Sequence, residues 1–216
     1  MGNIITIAIQ FLVVLFALSV HESAHAWMAE RFGDPTGRLQ GRISLNPIAH
    51  IDPIGTIIFP VILALAGAPV FGWAKPVMVN PFNLRNPKKD GIYIAAAGPV
   101  SNIILAISGV VVFLILKNIG VLGMSSFGSK GIEAIALILI NLILINIFLA
   151  IFNLLPIPPL DGSRILEGFL EGEALVTFKK IEPYGFLILM AVIYLNIFNI
   201  IARPVINLVM RILYFG

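Results

Sequence analysis

The residues best suited to chemistry stand together at His21-Glu22-Ser23-Ala24-His25. On a helix, positions i and i+4 share a face, so the two imidazoles can bind one metal ion. The glutamate between them is then placed to take a proton from an activated water. The motif ends a long apolar stretch, where ionisable side chains are costly and by default functional. Two histidines do not complete a catalytic zinc site, which takes three protein ligands and leaves a position open. The chain has no cysteine and only one further histidine. That leaves His50, in Asn46-Pro47-Ile48-Ala49-His50-Ile51-Asp52-Pro53, and Asp161, which closes Asn153-Leu154-Leu155-Pro156-Ile157-Pro158-Pro159-Leu160-Asp161.

The elements that must position these groups lie in a membrane. Of 216 residues 59% are hydrophobic and 12% charged, and the mean hydropathy is +1.01. A soluble domain is about one-quarter charged, so a water-soluble globule is excluded, as is a disordered chain. The fold class is an all-α polytopic membrane protein forming a single domain over residues 1–216. The net charge of +3 reflects loop lysines and arginines. No basic face points to nucleic acid.

Five apolar segments are expected: Ile4–Ala29, Ile54–Val70, Ile92–Leu116, Ala134–Leu155 and Phe186–Ala202, followed by a surface tail, Val205–Phe215. The second is short and broken by Pro60 and Pro69. If it re-enters while the other four cross, loops 31–53, 71–90 and 161–183 share one side with ten Lys and Arg, against two in loop 117–131. If it crosses, the sides carry five and seven. Only the first arrangement shows a positive-inside bias, with the N-terminus outside. His21 then lies roughly 27 Å along its helix from Asn3 at 1.5 Å per residue. Segments one and four run in the same direction, which brings His21, His25 and Asp161 to one cytoplasmic depth.

Between the first segments the period changes. Arg38–Leu45 alternates polar and apolar like a strand, and Trp73–Asn80 could pair with it, Pro76 marking an edge. A small β-hairpin-like element over residues 38–80 is expected, the alternative being two irregular loops. Such a strand would offer a substrate main-chain hydrogen bonds. Three prolines between Asn153 and Asp161 forbid a regular helix there.

With Gly98-Pro99-Val100-Ser101-Asn102 between them, the His-Glu motif and the Asn153–Gly162 run resemble the site-2 protease family of intramembrane zinc metalloproteases. The resemblance implies that His21, His25 and Asp161 bind one Zn2+ ion and that Glu22 is the catalytic base. It further implies that Asn153 lies near the metal and steadies substrate or oxyanion. The substrates would be transmembrane proteins met in membrane lipid, and the setting a prokaryotic plasma membrane with the site near the cytoplasmic side. No helix before the His-Glu helix, PDZ insertion or appended regulatory domain is seen, so a compact form is expected.

The lesser residues have plainer readings. His50 supports its loop or the site. Ser101 and Asn102 join neighbouring helices, Gly98 and Pro99 allow close packing and start their helix, and Asn141, Asn146, Asn196 and Asn199 make interhelical hydrogen bonds. Trp73 and Tyr184 anchor at the interface, and Glu167, Glu171, Glu173 and Glu182 form a solvated face. The non-enzymatic alternatives are a metal-ion transporter or a metal-binding membrane protein. A transporter would show paired broken helices in related halves, and no repeat is present.

Overall fold

The computed structural model describes residues 3–67, 72–122 and 130–215. The end of the Ile54–Val70 segment and residues 123–129 of the 117–131 loop lie outside them. Nine α-helices are described: α1 Asn3–Arg31, α2 Thr36–Leu39, α3 Phe59–Leu65, α4 Pro87–Asn118, α5 Lys130–Asn153, α6 Asp161–Phe169, α7 Gly172–Ile181, α8 Gly185–Tyr194 and α9 Ile197–Phe215. Four helices, in α1, α4, α5 and α9, are long and apolar enough to cross a bilayer.

No Gly or Pro interrupts α1, so it runs unbroken past the His-Glu motif. It ends where Gly33 N and Asp34 N fold back onto the Glu30 and Ala29 carbonyls. α4 starts earlier than expected. Asn86 accepts from Lys89 N, Asp90 accepts from Asn86 N at 2.7 Å, and Pro87 occupies the first turn. That reciprocal cap is a strong start signal. Pro99 therefore does not begin the helix but sits inside it, buried.

α1 packs antiparallel to α4, and α5 returns alongside α1. Near one end of this triplet Ala106, Phe113, Leu122, Ala136 and Ile143 form an apolar cluster that Leu213 of α9 completes. The expected fifth segment is instead two helices. Asn196 adopts φ 59°, a left-handed conformation that asparagine tolerates, and it separates α8 from α9. Residues 205–215 are not a surface tail. They continue α9, with Leu213 buried and the Leu213 and Tyr214 carbonyls taking hydrogen bonds from Lys117 Nζ at 3.0 and 3.3 Å.

The expected hairpin at 38–80 is absent; among the described residues there is no strand. Residues 36–39 are helical, and Arg42 N closes a turn on Gly37 O. Residues 72–80 form no regular element, and their N–H groups go to scattered acceptors: Trp73 N to Gly55 O, Lys75 N to His50 O and Val77 N to Glu22 Oε2. Alternation is a necessary condition for a half-buried strand. A ladder also needs one continuous row of partners, and here those partners belong to three separate segments. The Lys75 N–His50 O hydrogen bond, at 2.8 Å, brings residue 75 beside residue 50.

Candidate metal centre

The elements converge on three side chains. α5 ends at Asn153, the proline-rich turn reverses the chain, and α6 opens on Asp161. A Cβ on Gly162 would lie 2.3 Å from Leu154 O, so only glycine lets α6 fold this closely onto the end of α5. On the opposite side α4 passes directly beneath the imidazoles. A Cβ on Gly98 would stand 2.3 Å from His25 Nε2 and 2.6 Å from His21 Nε2.

His21 Nε2 and His25 Nε2 are 3.0 Å apart, and Asp161 Oδ2 lies 3.1 and 3.4 Å from them. Tetrahedral ligands at zinc–ligand distances near 2.05 Å are separated by about 3.3 Å. The two Nδ1 atoms are already committed. His25 Nδ1 is 2.7 Å from the Ile94 carbonyl, which can only accept, and His21 Nδ1 is 2.7 Å from Asn102 Oδ1. In the neutral imidazoles both Nε2 atoms then turn lone pairs inward, towards a buried carboxylate oxygen that has no hydrogen-bond partner of its own. A cluster made only of acceptors fits a cation. Among the described residues, these three form the group able to hold a metal ion.

A model of peptidase family M50 matches residues 116–196. YwhC of Bacillus subtilis (strain 168), a protein named as a zinc metalloprotease, is 37% identical over 196 residues, spanning 91% of this chain and 84% of YwhC. The chain belongs to peptidase family M50, the site-2 protease family. Rip2 of Mycolicibacterium smegmatis, also named as a zinc metalloprotease, is 29% identical over 181 residues, covering 83% of this chain and 64% of Rip2. MJ0611 of Methanocaldococcus jannaschii, named likewise, is 38% identical over 82 residues. No solved structure matches. With its apolar helices, this M50 member is an integral membrane protein and a zinc metalloprotease. The transporter and non-enzymatic alternatives are not favoured.

Other predicted residues of this M50 protease lie around the cluster. Glu22 is half-buried, on the helix face beside the ligands, and its Oε2 accepts from Val77 N at 3.1 Å. Asn153 sits in the last turn of α5 with Nδ2 on its own helix, 2.9 Å from Leu149 O. No hydrogen bond joins it to the cluster. His50 is buried beside Ser23, its Nε2 2.8 Å from Ser44 O. It braces the loop and is not one of the three clustered ligands.

Of the four asparagines expected to bridge helices, Asn146 does so, accepting from Asn102 Nδ2 at 2.7 Å. Asn141 bonds to Leu137 of its own helix, and Asn199 to Asn196. Of the four glutamates, Glu167 pairs with Lys179 and Glu171 with Lys88. Sequence reasoning missed the partners that aim His21, His25 and Glu22. Val77 N and Ile94 O are backbone groups with no sequence signature. Asn102 was visible in its motif, but not which atom it would meet.

Proposed function

We propose that His21, His25 and Asp161 hold the zinc ion, that Glu22 is the catalytic base, and that the centre cleaves peptide bonds in or beside transmembrane segments of other membrane proteins. The observation carrying this reading is the convergence of three acceptor atoms, spaced as zinc ligands are, beside the Glu22 carboxylate. Bound there, zinc supplies Lewis acidity that acidifies water and polarises a carbonyl. Glu22 accepts the proton of the attacking water and hands it to the departing amine. The Val77 N–H holds one oxygen of its carboxylate, so the other is left to move the proton. Asn153 serves an oxyanion by turning its amide away from Leu149 O; charge developing on the substrate makes that exchange favourable.

The site faces the cytoplasmic side of a prokaryotic plasma membrane. The excess of Lys and Arg in the loops at the His21 end supports that orientation, and relatives from bacteria and an archaeon support the setting. α1, α4, α5 and α9 span, while residues 53–65 dip in and return, as the Lys75–His50 hydrogen bond favours. A helical substrate must unwind to expose a scissile carbonyl. Residues 38–45 form no strand to pair with it, and Ser23 Oγ already engages the Ser44 backbone.

The test is cleavage of a tagged single-pass membrane protein by wild type and by Glu22→Gln, which keeps the metal and removes the base. Product from wild type alone is expected. Equal product from both would assign cleavage to other residues.

A further inference from the structure

The buried asparagines form a chain that ends on a ligand. Asn102 and Asn146 are both wholly buried, deep between α1, α4 and α5. Asn146 Nδ2 lies 2.7 Å from the Leu142 carbonyl. A carbonyl only accepts, so that nitrogen must donate, and Asn146 is left presenting Oδ1. Oδ1 lies 2.7 Å from Asn102 Nδ2, which must therefore donate in turn. Asn102 then presents Oδ1 to His21 Nδ1, also at 2.7 Å, and that ring nitrogen must carry the hydrogen. The consequence at the far end is a His21 Nε2 with a bare lone pair. The Ala17 carbonyl gives Asn102 Nδ2 a second, longer contact of 3.4 Å.

We propose that Asn146, whose hydrogen bonds go to Asn102 and Leu142 rather than to the cluster, is a positioning residue for the metal centre: acting through Asn102, it holds His21 in the tautomer that can ligate. The inference rests on reading His21, His25 and Asp161 as the zinc ligands. The physical argument is one of direction. An asparagine amide reads equally well after a half-turn, and a flipped Asn102 would point a donor at His21 Nδ1. The imidazole would then move its hydrogen to Nε2 and close the lone pair to a metal. Asn146 makes the flip costly because its Oδ1 would face the flipped Asn102 Oδ1, acceptor against acceptor, between two wholly buried side chains. Partners behind a ligating histidine fix its ring and tautomer, and their loss costs about 10- to 100-fold in metal affinity.

The experiment measures zinc affinity by chelator competition on the purified full chain in detergent, with thermal unfolding of the metal-free protein reporting the fold. Asn146→Leu is expected to weaken zinc about 10- to 100-fold. Asn146→Met serves if leucine does not pack. Asn141→Leu, which removes an amide bonded only within α5, should leave affinity unchanged. Adding Asn102→Asp to Asn146→Leu should restore it, since a carboxylate accepts from His21 Nδ1 through either oxygen and has no wrong way round. A merely structural role for Asn146 would not be rescued that way. Zinc lost in His21→Ala but held normally by Asn146→Leu would overturn the relay alone. Zinc held normally by His21→Ala would overturn the metal-centre reading and the relay with it.

Discussion

The two faces of one helical turn are held in different ways. His21 and His25 look towards helices, and their Nδ1 atoms meet Asn102 Oδ1 and Ile94 O on α4. Glu22 and Ser23 look towards irregular chain, meeting Val77 N and the Ser44 backbone. The His21 and His25 face is thus fixed by a long helix whose own backbone hydrogen bonds are internal. The Glu22 face is fixed by hydrogen bonds from the 36–85 connection, one to Glu22 and several to Ser23, and among its described residues that connection has no ladder of its own. Metal binding and proton transfer should therefore be separable by mutation, although the residues alternate along one turn.

The largest effect should come from the ligand face. Asp161→Ala should abolish both stoichiometric zinc and cleavage, with metal content measured on the purified protein; retained zinc would show that the two imidazoles suffice. On the base face Glu22→Gln should keep its zinc and lose about 10²- to 10⁴-fold in cleavage rate. If the metal were lost as well, the two faces would not be independent.

Gly98→Ala tests the helix side without replacing any of the three clustered side chains. A methyl group 2.3 Å from His25 Nε2 must push α4 away, at about 1–3 kcal/mol of stability and with weakened zinc. Unchanged zinc affinity and melting temperature would mean that α4 does not press on the imidazoles. Its counterpart is Val77→Pro, which removes the N–H serving Glu22. A hydrogen bond to a charged group is worth about 1.5 kcal/mol at the low end, so cleavage should slow about 10-fold with zinc unchanged. A zinc defect there would break the division between faces.

The smallest effect concerns how the loop layer is tied down. Asp34 is buried, and its carboxylate accepts from Thr36 N and Oγ1, Asn83 Nδ2 and Asn80 N. Burial pushes its pKa up, but the hydrogen bonds from Thr36, Asn83 and Asn80 outweigh it and hold the group below its ordinary value. Folding then favours the ionised form. The stabilisation is complete above the unfolded-state value near 3.9 and fades as pH falls through the lower folded value. Asn83→Ala should shift this acid-side loss to higher pH, as read by proteolysis of the 36–85 connection. An unmoved acid midpoint would remove Asp34 as the tie.

How far the sequence was legible follows the same division. The spacing of His21, Glu22 and His25 needs only a helix to become a half-site, and an uninterrupted apolar run supplies one. Asp161 could be paired with them because charge counting set the helix directions. The start of α4 was misplaced because its cap, Asn86-Pro87 with Asp90, precedes the apolar run that was used to find it. The break at Asn196 was hidden inside continuous hydrophobicity, since a left-handed residue leaves no trace in hydropathy. The 38–45 alternation promised a strand, yet its backbone groups found nearer partners in Ser23 and in their own turn.

By itself the sequence determined a membrane protein with two imidazoles and a carboxylate on one helical turn, and led us to expect a distant carboxylate beside them, because period, length and charge act locally. Only the tertiary structure decided which hydrogen bonds aim those groups. The Val77 N–H on the base, the Ile94 carbonyl behind His25 and the Asn146–Asn102–His21 chain all join residues far apart in sequence. The direction of a hydrogen bond depends on where its partner's lone pair points, and that exists only once the helices have packed.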